Sequence, residues 1–158
     1  MHFHEEVEKL RISIGSDHAG TALKDEVKMV LMERDNLEVK DVGTFGNEPV
    51  DYPDIAEKVA NEVASGRSQF GILICGTGIG VSIAANKIHG IRCALCSDVF
   101  SAKMARKHND ANILALGARV IGFGLAGEIV RAWLDNEFEG VGRHQRRIDK
   151  LTEIESKN

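Results

Sequence analysis

Residues 70–80 read FGILICGTGIG. The first six form the most apolar run of the chain, too short for a buried helix and bounded by glycine. They predict a strand covered on both faces, and therefore a central one in a parallel sheet. Gly76, Gly78 and Gly80 then take every second position and lead into GVSIAANKIHG (80–90), a helix closed by Gly90. A cysteine thus stands where a buried strand ends and a glycine turn begins.

Outward from this unit, apolar runs alternate with amphipathic segments, the pattern of a parallel α/β sheet. RISIGS (11–16) reads as a first strand and residues 21–35 as a helix with Leu23, Val27, Val30 and Leu31 on one face. LEVKDVG (37–43) alternates in polarity, which predicts an edge strand. Residues 44–53 read as a loop. Residues 54–66 read as a helix capped by Asp54, lined by Ile55, Val59 and Val63 and ended by Gly66. Further strands are expected over 91–96 and 112–122. Helices are expected over 97–109, with Ser97 or Asp98 as cap, and over 125–138. The polar tail repeats Ile148, Leu151 and Ile154 at helical spacing. About five strands result, in a single domain over 11–158 with a charged extension over 1–10.

The chain has 158 residues, 43% hydrophobic and 28% charged, which suits one globular domain with a sizeable core. A net charge of -4 and a pI of about 5.9 argue against general nucleic-acid or anionic-membrane binding, though a local basic patch could hold a small anion. No apolar run approaches the roughly 18 residues a membrane span requires. The opening MHFHEEVEKL lacks an apolar signal core, so no export signal is expected. Cys93 and Cys96 form a C-x-x-C inside a strand-like run, where positions three apart face opposite sides. They read as two inert buried thiols in a reducing, cytoplasmic setting.

Ligands of open α/β sheets bind at the carboxyl ends of strands. In CGTGIG the glycines let backbone N–H groups aim at one point. Such a turn stabilises an anion or a thiolate, and Thr77 adds a hydroxyl. The same residues also fit a tight turn beside a structural cysteine. In SDHAG, Asp17 and His18 end the first strand, where Asp17 could simply cap the next helix. In RKHNDAN, His108 and Asn109 follow a helix, where a histidine can be a capping cation. In GRHQRR, Arg143 and Arg147 share a helical face, as a phosphate clamp or as a solvated surface. Arg119 interrupts an apolar strand, which calls for an anionic partner. A G-x-G-x-x-G occurs at Gly122, Gly124 and Gly127, but no later strand completes a dinucleotide unit. No zinc spacing is present, and His2, His4, His89 and His144 are scattered.

GSDHAG, DVGTF, DYPDIA, GILICGTGIGVSIAANKIHGIRCAL, ARKHNDANILALGARVIG and GRHQRRI together resemble the type B ribose-5-phosphate isomerases of the ribose/galactose isomerase family, in order and over residues 11 to 155. The resemblance implies a Rossmann-like three-layer α/β/α sandwich. It further implies interconversion of ribose 5-phosphate and ribulose 5-phosphate with neither metal nor organic cofactor. Dimers or tetramers with active sites at the subunit interface are expected. It makes Cys75 the base, with Thr77 and the turn at Gly76, Gly78 and Gly80 stabilising an enediolate. His108 and Asp17 would open the sugar ring, and Tyr52 and Asn109 would contact the sugar. His18, Arg119, Arg143 and Arg147 would hold the phosphate. A branch of the family replaces the cysteine with a glutamate six positions later; Val81 stands there. Within the family, galactose-6-phosphate and allose-6-phosphate isomerases remain open. Outside it, so does a non-catalytic module that binds a sugar phosphate or nucleotide.

Overall fold

The computed structural model describes residues 8–158. The first seven residues of the expected extension, His2 and His4 among them, lie outside the described residues. Among those described, five strands form one parallel sheet: β1 Leu10–Ser16, β2 Leu37–Asp41, β3 Phe70–Cys75, β4 Cys93–Leu95 and β5 Ile113–Gly117. Their order is β2-β1-β3-β5-β4, so β3 is central and β2 is an edge, as the hydropathy patterns require.

Among the described residues are six α-helices: α1 Thr21–Leu31, α2 Tyr52–Ala64, α3 Ile79–Ala85, α4 Val99–Lys107 and α5 Phe123–Leu134, which cover the sheet, and α6 Arg143–Ser156, which meets the segments that follow α3 and α4. Side chains alternate between the two faces of each strand, which gives two apolar layers. Ile12, Ile14, Ile72, Ile74, Leu114 and Leu116 pack against α1, α4 and α5, with Trp133 fully enclosed. Leu73, Cys75, Ile113 and Ala115 pack against α2 and α3. Helix, sheet and helix thus form the expected three layers. Leu23, Val27, Val30 and Leu31 all face the core, as their spacing requires. Cys93 packs against one layer and Cys96 is buried in the other.

Several boundaries differ from the sequence reading. The strand expected over 112–122 stops at Gly117, where a β-carbon would stand 2.5 Å from the Thr77 carbonyl oxygen. The chain turns there, with the N–H groups of Val120 and Ile121 both donating to the Gly117 carbonyl. Arg119 therefore lies in an exposed turn, not within a strand. Among the described residues no carboxylate lies within ion-pair distance of it. The helix expected from Asp54 begins at Tyr52, with Pro53 in its first turn and Asp51 at the cap position, so Asp54 adds first-turn charge and does not cap. The helix expected over 80–90 runs from Ile79 to Ala85. Lys87 and Ile88 then tighten into three-residue turns. The one expected over 21–35 ends at Leu31, and the strand over 91–96 shortens to Cys93–Leu95. Among the described residues no helix is long and apolar enough to cross a membrane.

Candidate active site

After β1 the chain enters α1 on one face of the sheet; after the neighbouring β3 it enters α3 on the other. The carboxyl ends of β1 and β3 therefore flank a crevice, the place where open α/β sheets bind ligands. Asp17 and His18 follow β1, and Cys75 ends β3. The Asp17 N–H donates to the Ile74 carbonyl at 3.1 Å, which joins the two strand ends. The Asp17 carboxylate accepts the Ala19 N–H at 3.0 Å and caps a 3-10 turn over His18–Gly20.

Cys75 is 5% exposed, and its Sγ accepts the Gly78 N–H at 3.1 Å. Gly78 has φ 78°, a left-handed conformation that a side chain would disfavour. The turn carries no β-carbon at 76, 78 or 80, which lets its backbone lie close to the sulfur. Thr77 is exposed, and its Oγ1 accepts the Ile79 N–H at 3.2 Å. Gly80 lies against the Tyr52 ring, and the Arg119 guanidinium lies over Gly76. His18 Nδ1 accepts the Val50 N–H at 3.2 Å. A backbone amide can only donate, so Nδ1 carries a lone pair and Nε2 holds the ring proton. Asp17, His18, Tyr52, Cys75, Gly76, Thr77, Gly78, Gly80 and Arg119 thus gather at one edge of the sheet.

His108, Asn109, Arg143 and Arg147 do not join them. Helix α4 runs back from the carboxyl edge, so His108 and Asn109 precede β5 at the opposite edge. Cys75 is level with Gly117 and Gly71 with Ile113, which separates the two groups by the length of the sheet, about 13 Å or more. The start of α6 meets the second group. His144 stacks on His108 with ring centroids 4.2 Å apart, and Arg143 and Arg147 flank His144 on the same helix. Sequence spacing left His144 among scattered histidines; only the fold brings the two rings together. Partial enclosure, then the charges of His108, Arg143 and Arg147, hold His144 below the ordinary imidazole range. Glu139 brings a third ligand-type atom within 4.8 Å of the two histidines. The rings are only 8° from parallel, however, so their in-plane lone pairs do not converge on one ion.

A cluster of three charged residues, Lys24, Lys28 and Asp41, escaped the sequence reading. Lys24, 1% exposed, donates to Asp41 Oδ1 at 2.9 Å and to the Thr44 carbonyl; Lys28 holds Asp41 Oδ2 at 3.0 Å. Together they tie down the β2–α2 loop that carries Val50 towards His18. Burial raises the Asp41 carboxyl, but Lys24, the Gly43 N–H and Lys28 more than offset this and hold it below its ordinary range. The buried thiols are the reverse case. Burial and the Cys96 neighbour push Cys93 up to about 12, and burial with Asp98 pushes Cys96 up to about 11. Both remain protonated and unreactive near neutrality. A cleft of about 640 Å³ opens beside the C-terminal half of α6, lined in part by Lys87, Arg92, Leu151 and Ile154. It contains none of the candidate catalytic residues.

A profile described as ribose/galactose isomerase matches residues 12–151. The chain belongs to that family. Ribose-5-phosphate isomerase B of Escherichia coli is 52% identical over 147 residues, covering 93% of this chain and 97% of the relative. A D-erythrulose-4-phosphate isomerase of Pectobacterium atrosepticum is 50% identical over 144 residues, covering 90% and 93%. Among solved structures, ribose-5-phosphate isomerase B of Clostridium thermocellum superposes with a TM-score of 0.91 at 56% identity, covering 94% of this chain and 99% of that one. The chain is a member of an isomerase family, with the three-layer fold of those structures.

Proposed function

We propose that the chain is an aldose–ketose isomerase that interconverts ribose 5-phosphate and ribulose 5-phosphate, with Cys75 as the base. One observation carries this reading: a lone sulfur ends the central strand beside a glycine-rich turn whose Gly78 N–H donates to it, at the crevice between β1 and β3. Family membership and the named isomerase relatives support it.

The carbon acid to be deprotonated is weak, so base and oxyanion donors must act together. Cys75 takes the proton from C2, the electron pair forms a C1=C2 double bond, and O1 becomes an oxyanion. Thr77 and the turn amides stabilise that charge; loss of one such donor costs about 3–4 kcal/mol in acyl-transfer enzymes. The sulfur returns the proton to C1 on the same face while the O2 hydroxyl proton passes to O1. Ribose 5-phosphate is mostly a ring, so an acid–base pair must first open it. His108 and Asp17 are that pair: one removes the anomeric hydroxyl proton while the other protonates the ring oxygen. Tyr52 and Asn109 contact the sugar. His18, Arg119, Arg143 and Arg147 hold the phosphate, turning remote binding energy into orientation.

His108 and Cys75 stand at opposite edges of one chain, so the complete site is formed between two copies. One contributes Asp17, His18, Tyr52, Cys75, Thr77 and Arg119; the other contributes His108, Asn109, Arg143 and Arg147. Exposed Ile79, Val99, Phe100, Val120 and Phe123 surround the carboxyl edge and supply apolar area for that contact.

The test is turnover of ribose 5-phosphate in deuterated water. The expected result is formation of ribulose 5-phosphate with deuterium at its C1 and at C2 of the remaining ribose 5-phosphate, all lost in Cys75→Ala while inorganic phosphate still raises its Tm. Thermal stabilisation by the sugar without deuterium uptake in the unaltered protein would instead make it a binding module. Parallel assays with D-erythrulose 4-phosphate, allose 6-phosphate and galactose 6-phosphate rank the substrate lengths.

A further inference from the structure

We infer that Asp110, gripped by Arg92 and Arg106, is a positioning residue for His108. This rests on the isomerase reading above, in which His108 takes part in opening the sugar ring.

The segment joining α4 to β5 reads HNDAN, residues 108–112. Asp110 has φ 46°, and among the described residues no other non-glycine residue has a positive φ. Its left-handed backbone is held by two guanidiniums. Arg106 Nη1 donates to Asp110 Oδ1 at 3.0 Å and to the Ala111 carbonyl at 2.7 Å. Arg92 Nη2 donates to Asp110 Oδ2 at 3.2 Å, while its Nε reaches the carbonyls of Asn109 and Asp110 at 3.2 and 3.0 Å. The segment is therefore fixed through side chain and backbone at once.

The anchor continues into the core. The Arg106 side chain is 8% exposed, and its guanidinium lies 4.5 Å from the Phe70 ring centroid and 5.6 Å from that of Trp133. Phe70 begins the central strand, and Trp133 is fully buried in α5. A buried guanidinium needs an anionic partner, and Asp110 supplies it. Sheet, α5, Arg106 and Asp110 form one run of contacts ending beside His108. Proton transfer in ring opening needs His108 within hydrogen-bond reach of the sugar oxygen, so a small rotation of this segment matters.

A purely structural clamp would make the same contacts, so the test must separate ring opening from everything else. Ribulose 5-phosphate provides the separation. Its O5 is phosphorylated, it cannot close to a furanose, and exchange of its C1 hydrogens needs no ring opening. The variant is Asp110→Gly, because glycine accepts φ 46° and both carboxylate contacts disappear while the backbone carbonyl stays with Arg92. Turnover of ribose 5-phosphate is expected to fall on the order of tenfold to a hundredfold, while solvent deuterium wash-in at C1 of ribulose 5-phosphate stays within about twofold of the unaltered protein. Asp110→Asn, which keeps an acceptor for Arg106 and tolerates the backbone but lacks the charge, should recover part of the loss. Parallel loss of both rates, or no loss of either, overturns the inference while leaving the isomerase reading intact. Failure of the unaltered protein to exchange either sugar removes the isomerase reading and this inference with it.

Discussion

Cys75 and His108 belong to opposite edges of one sheet. The first ends β3 level with Gly117, and the second precedes β5, which begins level with Gly71. No rotation of either side chain closes a gap of about 13 Å or more. A site that uses both must draw them from different chains.

Mixed subunits expose this directly. Cys75→Ala and His108→Asn are each expected to lose turnover of ribose 5-phosphate. Unfolded and refolded together in equal amounts, they should regain about a quarter of full activity, because half the dimers are hybrids and each hybrid keeps one intact site of two. If the mixture stays as inactive as its components, the site lies within one chain.

Tyr52 and Gly80 give a second expectation. A β-carbon at Gly80 would lie 2.7 Å from the Tyr52 ring, and that ring is 42% exposed and free to swing outward. Gly80→Ala should leave Tm almost unchanged yet lower kcat/KM by about tenfold or more, if Tyr52 makes the proposed sugar contact. Calorimetry and steady-state kinetics on the same sample check both halves.

The two arginines at the start of α6 should act on binding and spare chemistry. Arg143→Ala and Arg147→Ala each remove a charged hydrogen-bond donor worth about 1.5–3 kcal/mol. The expected result is a KM raised by about tenfold or more with kcat nearly kept, the pattern of lost uniform binding. Unchanged KM in both variants would make the segment a solvated helix face.

Asp41 sets an acid limit on stability. Its carboxyl is held below the ordinary value by Lys24, the Gly43 N–H and Lys28 despite burial. A carboxyl lowered on folding contributes stability in full above its unfolded pKa, about 3.9, and loses it as pH falls through the lower folded value. Asp41→Asn leaves Lys24 buried without its counter-charge and should cost about 3–5 kcal/mol near neutrality. The difference in unfolding free energy should shrink as pH drops below about 4. A gap that stays constant down to strong acid would show that Asp41 acts through shape alone.

Much of this architecture is legible from periodicity. The continuous apolar run of Phe70–Cys75 gives the centre of the sheet, and the alternation of Leu37–Asp41 gives its edge. Helix faces follow from spacing, as Leu23, Val27, Val30 and Leu31 illustrate. Strand ends are less legible. Nothing local says that β5 must stop at Gly117; the Thr77 carbonyl, forty residues away in sequence, closes that space. The motifs around Cys75 and Asp17 name their residues but not their distribution. That His108 meets His144 and not Cys75 depends on the direction of α4, a property of the whole topology. Lys24 is harder still, since a lysine beside Leu23 reads as solvent-facing until Asp41 is folded beneath it. Asp110 has a fainter signal, an Asn-Asp pair between helix and strand that marks a turn without revealing its two arginine partners.

The borders of the sheet have a consequence for how copies can meet. β2 exposes Glu38 and Lys40, and β4 is three residues long. Charged and abbreviated margins resist being extended by a further strand. Subunits of any assembly are therefore expected to meet through helices and loops, and not by extending the five-stranded sheet. The protein is thereby guarded against the fibrous pairing that an open, apolar border would invite.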